Sequence, residues 1–409
     1  MTVHTRISDG STQMHAGDTL AKRNALVLAV AQALGGANPA IVVSLGGMVG
    51  QMLAENKQFA TVPVSLSHLG LALGTIPAAM LMKRAGRRTG YVMGGSIGVL
   101  AGCMAAFGIA STSFLIFCLG TFIAGFYSSF VQSYRFAATD TASDGFRPRA
   151  IAWVMSGGIA AGIVGPQTVI WTQDLIDNVP FAGAFLGQAA LALVAIVVVA
   201  FLRAPPVVAK STVGGGRPLR EIVSQPRFIV AVVAGLVSYA LMSFMMTAAP
   251  LAMIGCGLPV GAAALGIQWH ILAMFVPSFF TGRLIVRFGK ERVTATGLIL
   301  IALAAVVGLS GLTVWHFWTV LVLLGLGWNL GFIGATALVT DCYRPEERAK
   351  VQAANDFLVF GATATASFGS GTLLNASGWD LVNWLVFPPI MIALALLFWQ
   401  NRGKIVVPA

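Results

Sequence analysis

Residues 79–88 read Ala-Met-Leu-Met-Lys-Arg-Ala-Gly-Arg-Arg, and residues 282–291 read Gly-Arg-Leu-Ile-Val-Arg-Phe-Gly-Lys-Glu. The two stretches align without gaps at a shift of 203, about half of the 409-residue chain. Arg84, Gly86 and Arg87 fall opposite Arg287, Gly289 and Lys290. A second pair, Arg149-Ala150 and Arg348-Ala349, repeats at a shift of 199. Self-similarity at a fixed shift marks a duplicated unit. Each copy of the first motif follows a long apolar run. A tight turn between two helices asks for glycine at its bend, and cations beside it can bond helix C-terminal carbonyls.

Outward from these loops the chain is apolar. It is 57% hydrophobic and 10% charged, with 47 glycines and a mean hydropathy of +0.84. A soluble domain is nearer a quarter charged. One spanning helix needs about 20 apolar residues, so the chain has room for twelve spans. They are expected at 25–47, 60–82, 90–110, 113–134, 150–173, 181–202, 228–251, 263–285, 293–312, 316–338, 351–374 and 381–399. A nuclear regulator, a cytosolic enzyme and a secreted disulfide scaffold are excluded. Cys103, Cys118, Cys256 and Cys342 have no metal or CxxC spacing. The net charge of +11 does not point to nucleic acid. With both termini in the cytoplasm, 24 of the 25 lysines and arginines fall in cytoplasmic segments and only Lys57 lies outside. That is a strong positive-inside pattern, and it places the basic charge near anionic lipid. The fold class is therefore all-α integral membrane, in two pseudo-symmetric halves. The expected parts are a tail 1–24, a six-helix bundle 25–202, a linker 203–227, a second bundle 228–399 and a tail 400–409. The linker holds Pro205, Pro206 and Gly214-Gly215-Gly216, as a flexible join should.

The chain resembles the major facilitator superfamily over its whole length. The family's loop between helices 2 and 3 reads Gly-x-x-x-Asp-Arg-x-Gly-Arg-Arg. Here Ala79, Lys83, Arg84, Gly86, Arg87 and Arg88 stand at those places, with Gly282, Val286, Arg287, Gly289 and Lys290 in the second copy. Both copies lack the family's aspartate. The resemblance implies two bundles that rock about a central cavity, with helices 1, 4, 7 and 10 lining it. It implies a secondary transporter with no cofactor and no metal.

Several residues are candidates for a role. In the family the helix 2–3 loop faces the start of helix 11, where Asp356 lies six residues inside, about 9 Å from the end at 1.5 Å per residue. With Lys83 in place of the loop aspartate, Asp356 is expected to pair with Lys83 or Arg84 as a gate. The plainer alternative is a carboxylate bonded to its own helix start. Asp140 and Asp144 are the counterpart partners for Arg287 and Lys290. Lys83, Arg84, Arg87, Arg287 and Lys290 serve equally well as topology anchors. Arg135 ends helix 4 as a gate cation or a snorkelling anchor. His68 and His270 sit near mid-membrane in the second helix of each half. Either is a proton carrier, since histidine titrates near neutrality, or a neutral helix-to-helix donor. Cavity-lining candidates for the solute are Gln32, Asn38, Tyr127, Gln132, Tyr239, Trp269, Trp328 and Asn329. Trp328-Asn329 leads, because Gly327 and Gly331 beside it leave room for a ligand.

No GxxxxGK[ST], HExxH or GxSxG motif occurs, so neither ATP hydrolysis nor another enzyme activity is expected. The Gly162-x-x-Gly165-Pro166 run meets the family's antiporter motif only in part, and Thr121 stands where drug exporters carry arginine. Both weaken the alternative of a drug or metabolite efflux antiporter. A membrane receptor or enzyme is a more distant alternative. The expected cavity residues are amides and aromatic rings, without Arg, Lys, Asp or Glu at mid-depth. The reading is a symporter of a small neutral or zwitterionic solute, such as a flat heterocyclic vitamin, with protons as the candidate coupling ion. A monomer in the plasma (inner) membrane is expected, with no nucleic-acid partner.

Overall fold

The computed structural model describes residues 10–143, 146–203 and 216–402. Asp144 and the linker residues Pro205, Pro206, Gly214 and Gly215 lie outside them. Among the described residues every regular element is helical. In chain order the spans are α1 (Thr19–Leu53), which continues a helix begun at Gly10 and breaks at Gly36, α2 (Val62–Ala85), α3 (Arg87–Ala110) and α4 (Phe114–Ala137). They continue as α5 (Arg147–Thr172), α6 (Ala182–Ala200) and α7 (Pro226–Gly255). In the second half α8 joins Val260–Phe275 to Ser278–Phe288 through a 43° bend, followed by α9 (Lys290–Ser310) and α10 (Val314–Val339). The final helical stretch, 51 residues from Lys350 to Gln400, is far longer than a bilayer needs. It divides at Gly378, which has φ 80°, into α11 (348–377) and α12 (379–402). Twelve spans result.

The two loops that opened the sequence reading have one backbone conformation. Gly86 has φ 82° and ψ 162°, and Gly289 has φ 89° and ψ 153°. A side chain at either position would be strained. The repeat is therefore structural. Close packing inside each half rests on small residues. Gly70 on α2 leaves no space for a methyl group beside the Phe122 carbonyl of α4, nor does Gly125 on α4 beside the Ser67 carbonyl of α2. Small residues let helices approach where lipid provides no hydrophobic drive.

The α8 bend departs from the straight helix expected over 263–285. Its cause is Pro277, which lacks an N–H and clashes with the turn before it. The freed backbone is satisfied by a side chain, as hydrocarbon requires. Asn329 Nδ2 donates to the Met274 carbonyl at 2.6 Å.

The halves meet through α2 against α11, α5 against α8 and α1 against α7. The cross-half hydrogen bonds lie on the side away from the basic loops. Ser65 Oγ donates to Ser367 Oγ at 3.2 Å, and Ser367 shares a 3.1 Å bond with Thr247. Thr61 Oγ1 donates to the Phe368 carbonyl and Asn375 Nδ2 to the Lys57 carbonyl. Gln167 Nε2 donates to Gln268 Oε1 at 3.0 Å. Towards the basic side the helices part. A methyl at Gly162 would meet Ile271 of α8, whereas one turn on, at Gly158, nothing lies within 4 Å. Gly361 of α11 likewise faces open space. Ile76 of α2 and Phe357 of α11 are 70% and 71% exposed. The molecule is a V, closed on the side opposite the basic loops and open on the basic side.

Ser65 and Ser367 approach closely enough for a cysteine pair. In the Ser65→Cys/Ser367→Cys variant, mild oxidation is expected to cross-link α2 to α11 and stop transport, with recovery on reduction. Transport that continues after complete cross-linking, read from thiol titration, would show that this seam does not open during the cycle.

Candidate functional site

The inner ends of α7, α10 and α11 carry a group of rings. Trp328 and Phe332 lie one turn apart on α10 and stack at 5.3 Å with an interplanar angle of 16°. Tyr239 of α7 sets its ring edge-on to Trp328, Phe332 and Phe360 at 5.4, 5.0 and 5.8 Å. Phe275, just before the α8 bend, meets Trp328 at 6.3 Å. Trp328 is 8% exposed, and its Nε1 donor has no partner among the described residues. Tyr239, Phe332, Phe360 and Phe275 are half-buried. All five rings belong to the second half.

Asp356 precedes Phe360 by one turn of α11, so the two share a face. Asn355 Nδ2 donates to Asp356 Oδ1 at 3.2 Å. Arg135 stands opposite, at the end of α4 in the first half, with its guanidinium 4.8 Å over the Phe136 ring. Arg135 of the first half lies near Asp356 and the Tyr239 hydroxyl of the second. Neither Arg135 nor Asp356 makes an ion pair among the described residues. The open side therefore carries one cation and one anion beside the rings, both of them candidates named from the sequence.

Three other cations of this face, Arg87, Arg227 and Lys290, are paired within their own half. Arg87 Nε donates to Asp140 Oδ2 at 3.0 Å. In the repeat, Lys290 Nζ donates to Asp341 Oδ1 at 2.5 Å and to the Ala337 carbonyl, while Arg227 reaches Asp341 Oδ2 at 2.6 Å. Among the described residues the expected cross-half pairings are not made in this open arrangement. Asp140 holds Arg87 instead of Arg287 or Lys290. Asp356 faces Arg135, and Lys83 and Arg84 are exposed with no ion pair among the described residues. Arg287 lies over its neighbour Phe288 at 5.3 Å. The missed signal was present: Thr139-Asp140 recurs as Thr340-Asp341 at a shift of 201.

The remaining candidates separate by environment. Asn329 is fully buried and turned to the α8 bend. Its Nδ2 also reaches Ser278 Oγ, and its Oδ1 accepts from Thr281 at 2.5 Å. Asn38 Nδ2 ties α1 to the Ala124 carbonyl and Ser128 of α4 at 2.9 and 2.7 Å. Tyr127 is buried beside Gly35 and Gly98. Gln32 is half-buried at the α1 break, and Gln132 and Trp269 are exposed. His270 is 0% exposed, and its Nδ1 lies 2.7 Å from the Leu321 carbonyl of α10. His68 Nδ1 lies 3.0 Å from the Val64 carbonyl of its own helix. Trp328 and Tyr239 are thus the solute candidates that the fold brings together with Arg135 and Asp356.

The chain matches the Major Facilitator Superfamily model over residues 24–277 and 267–409. It belongs to the Major Facilitator Superfamily. The riboflavin transporter RfnT of Brucella anthropi is 58% identical over 388 residues, spanning 94% of this chain and 98% of that one. The uncharacterized MFS-type transporter YdeG of Bacillus subtilis is 30% identical over 405 residues, 94% of this chain and 93% of that one. A mutant of the nucleoside transporter NupG shares the fold with a TM-score of 0.74 at 14% identity, covering 93% of this chain and 99% of that chain. A bacterial homolog of the human lysosomal transporter Spinster, inward-facing and occupied, gives 0.72 at 15% identity, covering 92% and 96%. This superfamily member is a multi-pass membrane transporter and not an enzyme.

The transporter's linker has a fixed exit. Glu347 is 0% exposed. Its carboxylate accepts from Arg217 Nε at 3.0 Å, Arg217 Nη2 at 2.9 Å, and the backbone N–H groups of Arg217 and Arg344 at 2.7 and 2.9 Å. Lys350 Nζ donates to the Arg217 carbonyl. The Arg217 guanidinium, then these backbone donors, hold Glu347 well below the usual carboxylate range. The same pair raises Arg217. A depressed carboxylate stabilises the fold above its unfolded value and loses that contribution as pH falls through its folded value. Glu347→Gln is therefore expected to lower the melting temperature at pH 7. The gap to wild type should hold down to about pH 5 and narrow only below the ordinary carboxylate value of 4.5. A gap that is absent at pH 7, or that closes between pH 7 and 5, would show that the ionised clamp does not stabilise the chain.

Proposed function

We propose that this transporter carries riboflavin, or a closely similar flat heterocycle, across the plasma (inner) membrane by alternating access. The observation that carries this reading is the 58% identity to a riboflavin transporter over 98% of that protein's length. The ring group supports it. A fused heterocycle is a large flat apolar body, and it gains from edge-on and stacked contacts with Tyr239, Trp328, Phe332 and Phe360. The unpartnered Trp328 Nε1 offers a donor to a ring carbonyl or nitrogen. On this reading the basic side is cytoplasmic, with 24 of 25 cations there, so the open recess faces inward. The moving bodies are the bundles 25–202 and 228–399, working as a monomer. The seam from Thr61 to Asn375 separates when the outside opens. The loops holding Arg87–Asp140 and Lys290–Asp341 travel with their own halves.

Purified protein in liposomes should accumulate riboflavin without ATP. Trp328→Ala and Tyr239→Ala should each weaken riboflavin binding by about 10-fold, roughly the contribution of one aromatic contact, with unchanged folded yield. Wild-type affinity in both variants removes the ring wall from the site.

Protons are the proposed coupling ion, and His270 is the proposed carrier. One ring nitrogen is held by Leu321 and the other, Nε2, is buried without a partner. His270 lies on α8, which packs against α5 of the first half, so on this reading its access to water, and with it protonation, would follow the conformational cycle. His270→Gln should abolish uphill accumulation while leaving exchange down a gradient. Accumulation that persists with an unaltered pH dependence makes His270 a helix-to-helix hydrogen bond and nothing more.

A further inference from the structure

Asp140, Asp341 and Glu347 each lie within 3.0 Å of a cation. Asp356 is different. It receives one bond, from the adjacent Asn355, and keeps most of its acceptor capacity. Arg135 is its counterpart: it stacks over Phe136 and makes no hydrogen bond among the described residues. Both side chains are exposed to solvent on the open side of the molecule. They come from opposite halves, and Tyr239 connects them to the rings. The aromatic wall thus has a polar edge made of one free carboxylate and one free guanidinium.

We propose that Arg135 and Asp356 are the charge-selecting residues of the recess, with Asp356 turning away anionic, phosphorylated forms of the solute that the rings accept. This rests on the reading of the recess as the solute site. A lone arginine beside an aromatic wall is a phosphate site, because its planar fork matches phosphate oxygens. Asp356 cancels that attraction, since like charges brought together are strongly disfavoured. A neutral solute rich in hydroxyl, imide N–H and carbonyl groups meets no such penalty. Its hydroxyl and N–H groups donate to Asp356, and its carbonyls accept from Arg135. The pair leaves the recess nearly neutral overall while offering both a donor and an acceptor.

The test compares riboflavin with riboflavin 5′-phosphate on the full chain, by fluorescence titration. Wild type should bind riboflavin at least ~10-fold more tightly than the phosphate. Asp356→Asn should raise affinity for the phosphate by ~10-fold or more and change riboflavin affinity much less. Adding Arg135→Gln should reverse the gain, and Asp356→Glu should keep wild-type discrimination. Unchanged phosphate affinity in Asp356→Asn overturns the proposal. So does a variant that binds both ligands normally but no longer transports, since the pair would then be a closing latch. A second readout does not depend on riboflavin. In a Phe360→Cys variant with Cys103 and Cys256 replaced by serine, a neutral methanethiosulfonate should react faster than an anionic one. Asp356→Asn should narrow that ratio by ~10-fold. If wild type binds no riboflavin, the substrate reading fails, and this ratio still decides the charge filter.

Discussion

A polar seam at one end holds the two halves of this transporter in register. In hydrocarbon, each helix already satisfies its own backbone, so only side chains can join one bundle to another. Here the hydroxyls of Ser65, Ser367 and Thr247 form a chain of bonds across α2, α11 and α7, and Thr61 and Asn375 extend it through backbone carbonyls. These are neutral contacts, each worth little on its own. A seam of that kind can be rigid in one state and released in another. Buried ion pairs across the same surface would leave uncompensated charge on opening.

The strong charge interactions sit elsewhere. Arg87–Asp140 and Lys290–Asp341–Arg227 each bind loop to loop inside one half, and Arg217–Glu347 fixes the end of the linker to the second half. These contacts tie each half together internally and leave the boundary between the halves to weak bonds.

The repeated loop made much of this legible. Gly86 and Gly289 were placed at turns by the sequence, and they adopt one left-handed conformation. The cation count marked one face. Partner choice was less legible, because a shift of 203 locates a motif without saying which half its partner comes from. Asp140 was assigned across the interface, although its twin Asp341 follows Thr340 just as Asp140 follows Thr139. Asn329 looked like a solute contact because a polar residue at mid-depth must bond something. The something is the backbone freed by Pro277, and recognising it needed the α8 bend. The rings of Phe332, Phe360 and Phe275 were invisible as a group, since periodicity gives the face of one helix but not the meeting point of four.

The contact of Gly162 with Ile271 has a mechanical consequence. It lies well along α5, and thirteen residues separate it from Arg149 at the basic end, a distance of about 20 Å. With no side chain at Gly162, the α5 backbone comes close to the Ile271 side chain of α8. On the proposed rocking of the two halves, that contact is a fulcrum and the rest of α5 a lever arm. A rotation of about 5° there moves the far end by about 2 Å, so a slight rearrangement of the seam is magnified into a change in the width of the mouth.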